Sequence, residues 1–329
     1  MYIELVKRFD KQKKEVWQDF LRSAGLHPDE EIKETVLLWD DERLVGTGSR
    51  DGNLLKLLAI SQERQGEDLT SVILSELKKS AFSEGLNHLF LYTKPENEAM
   101  FTSLFFYTIA KTDTVLLMEN RKNAIQDFLA KICSEKPTGT VGAIVMNANP
   151  FTLGHRYLVE TAAQKCDCLY VFVVSEDKSR FGASDRFEMV KIGTQDMENV
   201  TVLPTGPYLV SSATFPTYFL KEREKAAEVQ CLLDVQIFLR YFVPKFSINC
   251  RFVGTEPLSP MTNQYNEALK RGLTAGGIDV FEITRRQQDG QVISASRVRE
   301  LLDAGDIEGV KALVPTTTYD YMKAKGFLQ

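Results

Sequence analysis

Val141-Gly-Ala-Ile-Val-Met-Asn147-Ala-Asn149-Pro150-Phe151-Thr152-Leu153-Gly154-His155 decides the fold. The apolar run 141–146 suits a strand covered on both faces, as in a parallel sheet. Pro150 and Gly154 punctuate a tight loop. The residues that follow, Arg156 to Ala163, continue as a helix expected to start near His155. The first turn of such a helix turns free N–H groups and a positive dipole end back on the loop, which is a site for phosphate. Thr152 and His155, three apart, can point a hydroxyl and an imidazole at the same oxygens. The stretch is neither the Gly-Lys-Ser/Thr phosphate loop nor the Gly-x-Gly-x-x-Gly dinucleotide turn.

Downstream, buried strands alternate with helices: strands at 169–175, 200–203, 247–253 and 279–284, with helical patterns at 183–192, 217–242 and 261–270. Asp185 and Glu188 have the spacing of a capping box for the first of these helices. This alternation predicts a doubly wound parallel sheet. In such sheets ligands sit at the carboxyl ends of strands. The loops 147–155, 176–182, 254–257 and 285–296 all leave that edge. Lys178 and Arg180 in the second loop are either a phosphate clamp or solvated loop cations. The last loop carries Ile293-Ser294-Ala295-Ser296-Arg297-Val298-Arg299. Ser296 reads as the N-cap of a further helix. Arg299 then lies on the same helix face, and its planar fork suits a triphosphate.

Upstream, the order is helix (11–24), hairpin (36–39 and 44–48), strand (53–60), helix (69–82), strand (88–93), helix (97–106), strand (112–118) and a connecting helix (121–133). Ser134-Glu-Lys-Pro-Thr-Gly-Thr140 is the best linker, with Pro137 and Gly139 among polar residues. The expected organisation is an α+β domain over 1–134, a linker over 135–140 and the α/β domain over 141–329.

With 329 residues and a 43% hydrophobic composition, two ordinary globular domains are expected. A net charge of −5 argues against broad nucleic-acid binding. Five cysteines read as reduced thiols, and Cys166 and Cys168 lack companions for a metal site. Neither a signal peptide nor a run long enough to span a membrane is evident, so a cytoplasmic protein is expected. His27 and His88 belong to no motif and read as structural or surface residues.

The two loop motifs, Thr152-Leu-Gly-His155 and Ile293-Ser-Ala-Ser-Arg-Val-Arg299, resemble the paired signatures of the nucleotidyltransferase superfamily related to class I tRNA synthetases. The first domain resembles the GNAT-type N-acetyltransferase fold. Its turn Glu63-Arg-Gln-Gly66-Glu67-Asp68 keeps one glycine of that fold's pyrophosphate loop but adds two carboxylates, which would repel a pyrophosphate. Over essentially its whole length, and most specifically in Asn147–His155, 253–266 and Ile293–Arg299, the chain resembles the citrate lyase ligase family.

That resemblance implies a ligase using ATP and acetate to acetylate the thiol of a dephospho-CoA-derived group on the citrate lyase acyl carrier subunit, with AMP and pyrophosphate released. It implies catalytic roles for Thr152, His155 and Arg299, with Mg²⁺ bridging the phosphates. It implies ATP contacts from Asn147, Asn149, Pro150, Phe151, Gly154, Lys178, Arg180, Gly254, Thr255, Glu256, Ile293, Ser294 and Ser296. Phe151, Phe181 and Tyr208 are aromatic candidates for the acetate pocket, or else core. The first domain would take the CoA-like arm of the partner or dock the carrier itself. Two other readings fit the residues alone: an adenylyltransferase acting on phosphopantetheine or nicotinamide mononucleotide, and a non-catalytic nucleotide-sensing protein.

Overall fold

The computed structural model describes residues 1–29, 31–133, 137–177, 179–209, 226–255, 260–288 and 290–328. Lys178 and Glu256 lie outside the described residues, as do parts of the expected linker and of the 217–242 helix. The chain divides into two compact units. The first is Met1–Ala124 with 226–229 among the described residues, and the second holds the remaining described residues from Ile125 onward.

The first unit is an α+β fold. Its strands are β1 (Tyr2–Val6), β2 (Glu34–Asp40), β3 (Arg43–Asp51), β4 (Leu54–Ile60), β5 (Phe90–Thr93), β6 (Tyr107–Lys111) and β7 (Leu116–Glu119), in the order β1-β2-β3-β4-β5-β7-β6. Helices α1 (Lys11–Ser23), α2 (Leu69–Ser83) and α3 (Glu98–Ser103) accompany them. Only β4 and β5 pair in parallel, and only at Leu54–Phe90 and Leu55–Leu91. Beyond Leu55 the two strands part. The core packs Ile73, Leu74, Leu77 and Ala81 of α2 against Val36, Val45, Leu55 and Leu91 of the sheet. The helix expected over 97–106 stops at Ser103, because Phe105 turns the chain at φ +63° and releases it into β6.

The second unit begins at helix α4 (Ala124–Ile132). Its sheet holds β8 (Val141–Met146), β9 (Cys168–Val173), β10 (Val200–Pro204), β11 (Cys250–Gly254) and β12 (Asp279–Ile283). All pairs are parallel, in the order β10-β9-β8-β11-β12. Helices α5 (Leu153–Ala163), α6 (Ala183–Gly193), α7 (Ala226–Ile237), α8 (Val243–Phe246) and α9 (Pro260–Ala275) cross over between strands, with a π-helical turn at Phe238–Phe242. A two-stranded ribbon, β13 (Gln287–Gln288) and β14 (Gln291–Val292), precedes α10 (Ala295–Asp303), α11 (Ile307–Leu313) and α12 (Thr316–Ala324). One core gathers Ile144, Met146, Val171 and Phe252 of the sheet with Val159 of α5, Met189 of α6, and Val298, Val310 and Met322 of the last three helices.

Strand order reverses at β8, so the topological switch point lies between β8 and β11. β8 pairs with β9 along its whole length, Val141–Cys168 to Met146–Val173. It pairs with β11 only at Gly142–Cys250 and Ala143–Arg251. Above that level the two central strands separate and leave a crevice at their carboxyl ends.

Candidate active site

Thr152 caps α5, which starts at Leu153, two residues ahead of the expected start. Its extended backbone (φ −110°, ψ 169°) turns the hydroxyl inward, where Oγ1 accepts the His155 N–H at 3.3 Å. In return the Thr152 N–H donates to Nδ1 of His155 at 3.1 Å, which completes a capping box with histidine in the usual place of Glu or Gln. An Nδ1 that accepts an N–H bears no proton, so the ring is the Nε2–H tautomer. Burial, and then the neighbouring Arg285 charge, bring the His155 pKa down to about 4. Phe151 is fully buried and stacks on the imidazole with ring centroids 5.9 Å apart. The Thr152 hydroxyl is spent on this cap and is 1% exposed, so it orients the ring rather than facing outward.

The loop before α5 is fixed from two sides. Arg186 of α6, wholly buried, donates from Nη1 to the Asn147 carbonyl (3.0 Å), Asn147 Oδ1 (2.5 Å) and the Val174 carbonyl (2.8 Å). Its Nε donates to the Phe181 carbonyl at 3.0 Å and its Nη2 to that of Glu176. Asn147 Nδ2 donates to Ser179 Oγ, and Asn149 Oδ1 accepts the Phe181 N–H. A cis peptide joins Asn149 to Pro150. From the other side, Arg299 Nη1 donates to the Asn149 carbonyl at 2.7 Å, which ties the second motif directly to the first.

Ser294, not Ser296, caps α10. Its extended backbone (φ −128°, ψ 149°) lets Oγ accept the Arg297 N–H at 3.1 Å, while Ser296 already lies inside the helix. There Ser296 Oγ accepts from Arg299 Nη2 at 3.0 Å and steadies the guanidinium. The two helix N-termini meet closely: a Cβ at Gly154 would lie 3.0 Å from the Ile293 carbonyl. Asp185 likewise is not a cap. α6 starts after Gly182, Asp177 Oδ1 accepts the Ala183 N–H, and Asp185 accepts the Tyr321 hydroxyl.

Arg180 is held by Asp303 of α10, with the Arg299 carbonyl 3.4 Å from its Nη1. Gly254 and Thr255 leave β11 beside Arg285, whose N–H donates to Thr255 Oγ1 (3.1 Å) and whose Nε donates to the Thr255 carbonyl (2.6 Å). Phe151, Phe181 and Tyr208 are each 1% exposed or less.

The sequence pattern therefore brings His155, Ser296, Arg299 and Arg180 to one edge, with Asn147, Asn149, Pro150, Gly154, Ile293 and Ser294 shaping it. It misses Arg186 and Arg285. Arg186 had a signal: with Met189, Val190 and Gly193 it occupies the buried stripe of α6, where an arginine is out of place without a polar task. Arg285 follows a strand with no motif around it.

A family profile described as the citrate lyase ligase C-terminal domain matches residues 141–322. A citrate (pro-3S)-lyase ligase of Klebsiella pneumoniae is 42% identical over 326 residues, covering 97% of this chain and 95% of the relative. One of Escherichia coli K12 is 38% identical, covering 97% of this chain and 92% of the relative. One of Haemophilus influenzae is 38% identical, covering 96% and 97%. With this identity over nearly the full length, and with both loop motifs assembled at the switch point of its parallel sheet, the chain belongs to the citrate lyase ligase family.

Proposed function

We propose that this ligase acetylates the thiol of the citrate lyase acyl carrier prosthetic group in the cytoplasm, through acetyl-adenylate, at the expense of ATP. An acetate oxygen attacks the α-phosphorus, the bond to the bridging oxygen breaks, and pyrophosphate leaves. The carrier thiol then attacks the acyl carbon, releasing AMP and the thiol proton. Neither step needs a nucleophile from the protein; both need positioned nucleotide and stabilised phosphate charge. The observation that carries this reading is the pairing of a fixed Nε2–H donor on His155 with Arg299, which is anchored on the loop of the first motif. His155 would donate to α- and β-phosphate oxygens and Arg299 to the leaving pyrophosphate. Thr152 fixes the imidazole, and Arg285 adds positive charge beside it. Gly254 and Thr255, with Glu256, would face adenine or ribose. Lys178 and Arg180 would close over the phosphates.

Among the described residues no group of three metal-ligating side chains comes together, so they build no metal cage of their own. Mg²⁺ would arrive on ATP, held by phosphate oxygens and water.

In this reading residues 141–329 activate acetate, 135–140 link, and 1–134 receive the carrier. The first unit has a cleft of about 860 Å³ where β4 and β5 part, lined by Ala59, Ile60, Gly66, Tyr92, Thr93 and Asn97. At its rim Glu63 pairs with Arg43, and Glu67 with Arg64. Pairing with these arginines offsets the charge of both carboxylates, which lessens their repulsion of the pyrophosphate in a dephospho-CoA-derived arm.

Exchange of labelled pyrophosphate into ATP tests the proposal. Exchange that depends on acetate, without citrate lyase present, supports it. Exchange that needs phosphopantetheine or nicotinamide mononucleotide instead makes the protein an adenylyltransferase.

A further inference from the structure

The string 253–266 is the part of the sequence that phosphate binding leaves unexplained, and Tyr265 carries it into a buried polar cluster. The Tyr265 hydroxyl donates to Asp234 Oδ2 at 2.9 Å, and Cys231 donates to the Tyr265 carbonyl. Beside them lies Arg251 of β11, only 6% exposed, with its guanidinium carbon 4.5 Å from the centre of the Phe238 ring. Its Nε is enclosed without a hydrogen-bond partner. Among the described residues no carboxylate forms an ion pair with it; Asp234 acts on it only through space. A buried guanidinium without a paired carboxylate costs several kcal/mol. Unlike Arg186, whose guanidinium is met by carbonyls, Arg251 has room for an anion supplied by a ligand.

Its place in the sheet says which anion. Arg251 forms the last pair with Ala143 before β8 and β11 separate, so it stands at the floor of the crevice. Its neighbours Cys250 and Phe252 point into the core shared with α5 and α10, so Arg251 points to the opposite face, toward Phe238 and Tyr265. His155 and Arg299, which face the leaving pyrophosphate in the proposed reaction, belong to the α5 and α10 side. In an in-line displacement the attacking oxygen approaches the α-phosphorus from the side away from the leaving group. That is the side of Arg251.

We infer that Arg251 binds the carboxylate of the acyl substrate, a short unbranched monocarboxylate, in a pocket walled by Phe238 and Tyr265. The inference rests on the acyl-activation reading above and adds the pocket that reading lacks. The guanidinium fork matches a carboxylate and the aromatic walls suit a methyl group.

The test is acetate-dependent pyrophosphate exchange by the intact protein and by its Arg251→Met and Arg251→Lys variants. Arg251→Met should lower kcat/KM for acetate at least about 30-fold, as expected for a lost charge-assisted pair, while KM for ATP stays within about twofold. Arg251→Lys should fall between, since a point charge replaces the fork. The thermal midpoint of Arg251→Met should not drop, because an uncompensated buried charge has been removed. An unchanged acetate dependence, an equal loss toward ATP, or a midpoint several degrees lower would each overturn the assignment. Absence of acetate-dependent exchange in the unsubstituted protein is a different result: it refutes the acyl-activation reading itself.

Discussion

The Thr152 N–H donates to Nδ1 of His155 at 3.1 Å, and this bond decides which ring nitrogen carries the proton. Nε2–H becomes a fixed donor at the end of α5, and the ring stays neutral because burial and Arg285 hold its pKa near 4. The sign for stability follows. The native pKa lies below the ordinary histidine value of 6.5, so the unfolded chain binds the extra proton first. The contribution to stability is complete above pH 6.5 and is lost as pH falls toward 4. The chain has three histidines, so their ring resonances are separable by NMR. The signal assigned through a His155→Gln variant should stay constant from pH 8 to about 5 and move only near 4. Titration near 6.5 would show that burial and Arg285 do not keep the ring neutral.

A neutral donor can be replaced by another neutral donor. His155→Ala should lower acetate-dependent pyrophosphate exchange about 100-fold, the usual cost of removing one preorganised donor to developing charge. His155→Gln, whose amide nitrogen falls near the position of Nε2, should recover part of that loss. Steady-state rates of the three proteins at saturating ATP measure both effects. Equal activity in the Ala and Gln variants would mean that the ring acts through packing on Phe151 instead.

Much of this architecture was legible because periodicity carries it: buried strands at β8, β9 and β11, and helices after them. The turns were less so. Phe105 and Ala148 adopt φ of +63° and +49° without the glycine that announces such a turn. Edge strand β1 was missed because Tyr2, Ile3 and Leu5 are all more than 40% exposed and show no alternation of burial. At α10 two serines stand two apart, and only the extended backbone of Ser294 selects the cap. The contact of Arg186 with residue 147 and with residues 174, 176 and 181 joins two loops, the first of them 39 residues away in sequence, which no local pattern encodes.

Arg186 is consequently a sensitive position. Arg186→Met would leave the carbonyls of Asn147, Val174, Glu176 and Phe181 without their shared donor inside the fold. Each buried acceptor left unsatisfied costs about 1–3 kcal/mol, reduced where water enters. A net loss of about 3 kcal/mol in denaturant-measured stability is expected, together with weaker ATP binding, because the loop before α5 loses its anchor. Arg186→Lys should rescue little, since one ammonium cannot reach carbonyls on several sides. Retention of wild-type stability in the Met variant would contradict this account.

Gly154 sets how closely the two motif-bearing helices approach. A methyl group there would stand 3.0 Å from the Ile293 carbonyl, a backbone atom that cannot rotate away. Gly154→Ala should therefore push the Ile293 loop outward and move Arg299 relative to His155. The expected result is a rise in KM for ATP of about tenfold, with a smaller cost in stability of about 1–2 kcal/mol. Titration of ATP into the variant, read beside its thermal midpoint, separates the two. A fall in stability without any change in ATP affinity would show that the close approach serves packing alone.

The division of labour between the units makes a separable prediction. Ala59 lies on β4 at the point where it has parted from β5, half-buried in the cleft wall. Ala59→Trp would fill part of that cleft with an indole while leaving every residue assigned to ATP untouched. If the carrier arm enters this cleft, pyrophosphate exchange with acetate alone should be unchanged. Acetylation of the citrate lyase carrier should fall about tenfold or more, mainly through a higher KM for the carrier, because a blocked pocket removes binding before it affects chemistry. Thioester formation followed over a range of carrier concentrations reads this directly. A variant that acetylates the carrier as well as the unsubstituted protein would move carrier recognition out of the β4–β5 cleft. A variant that loses both activities together would show that the cleft serves the folding of its unit rather than the partner.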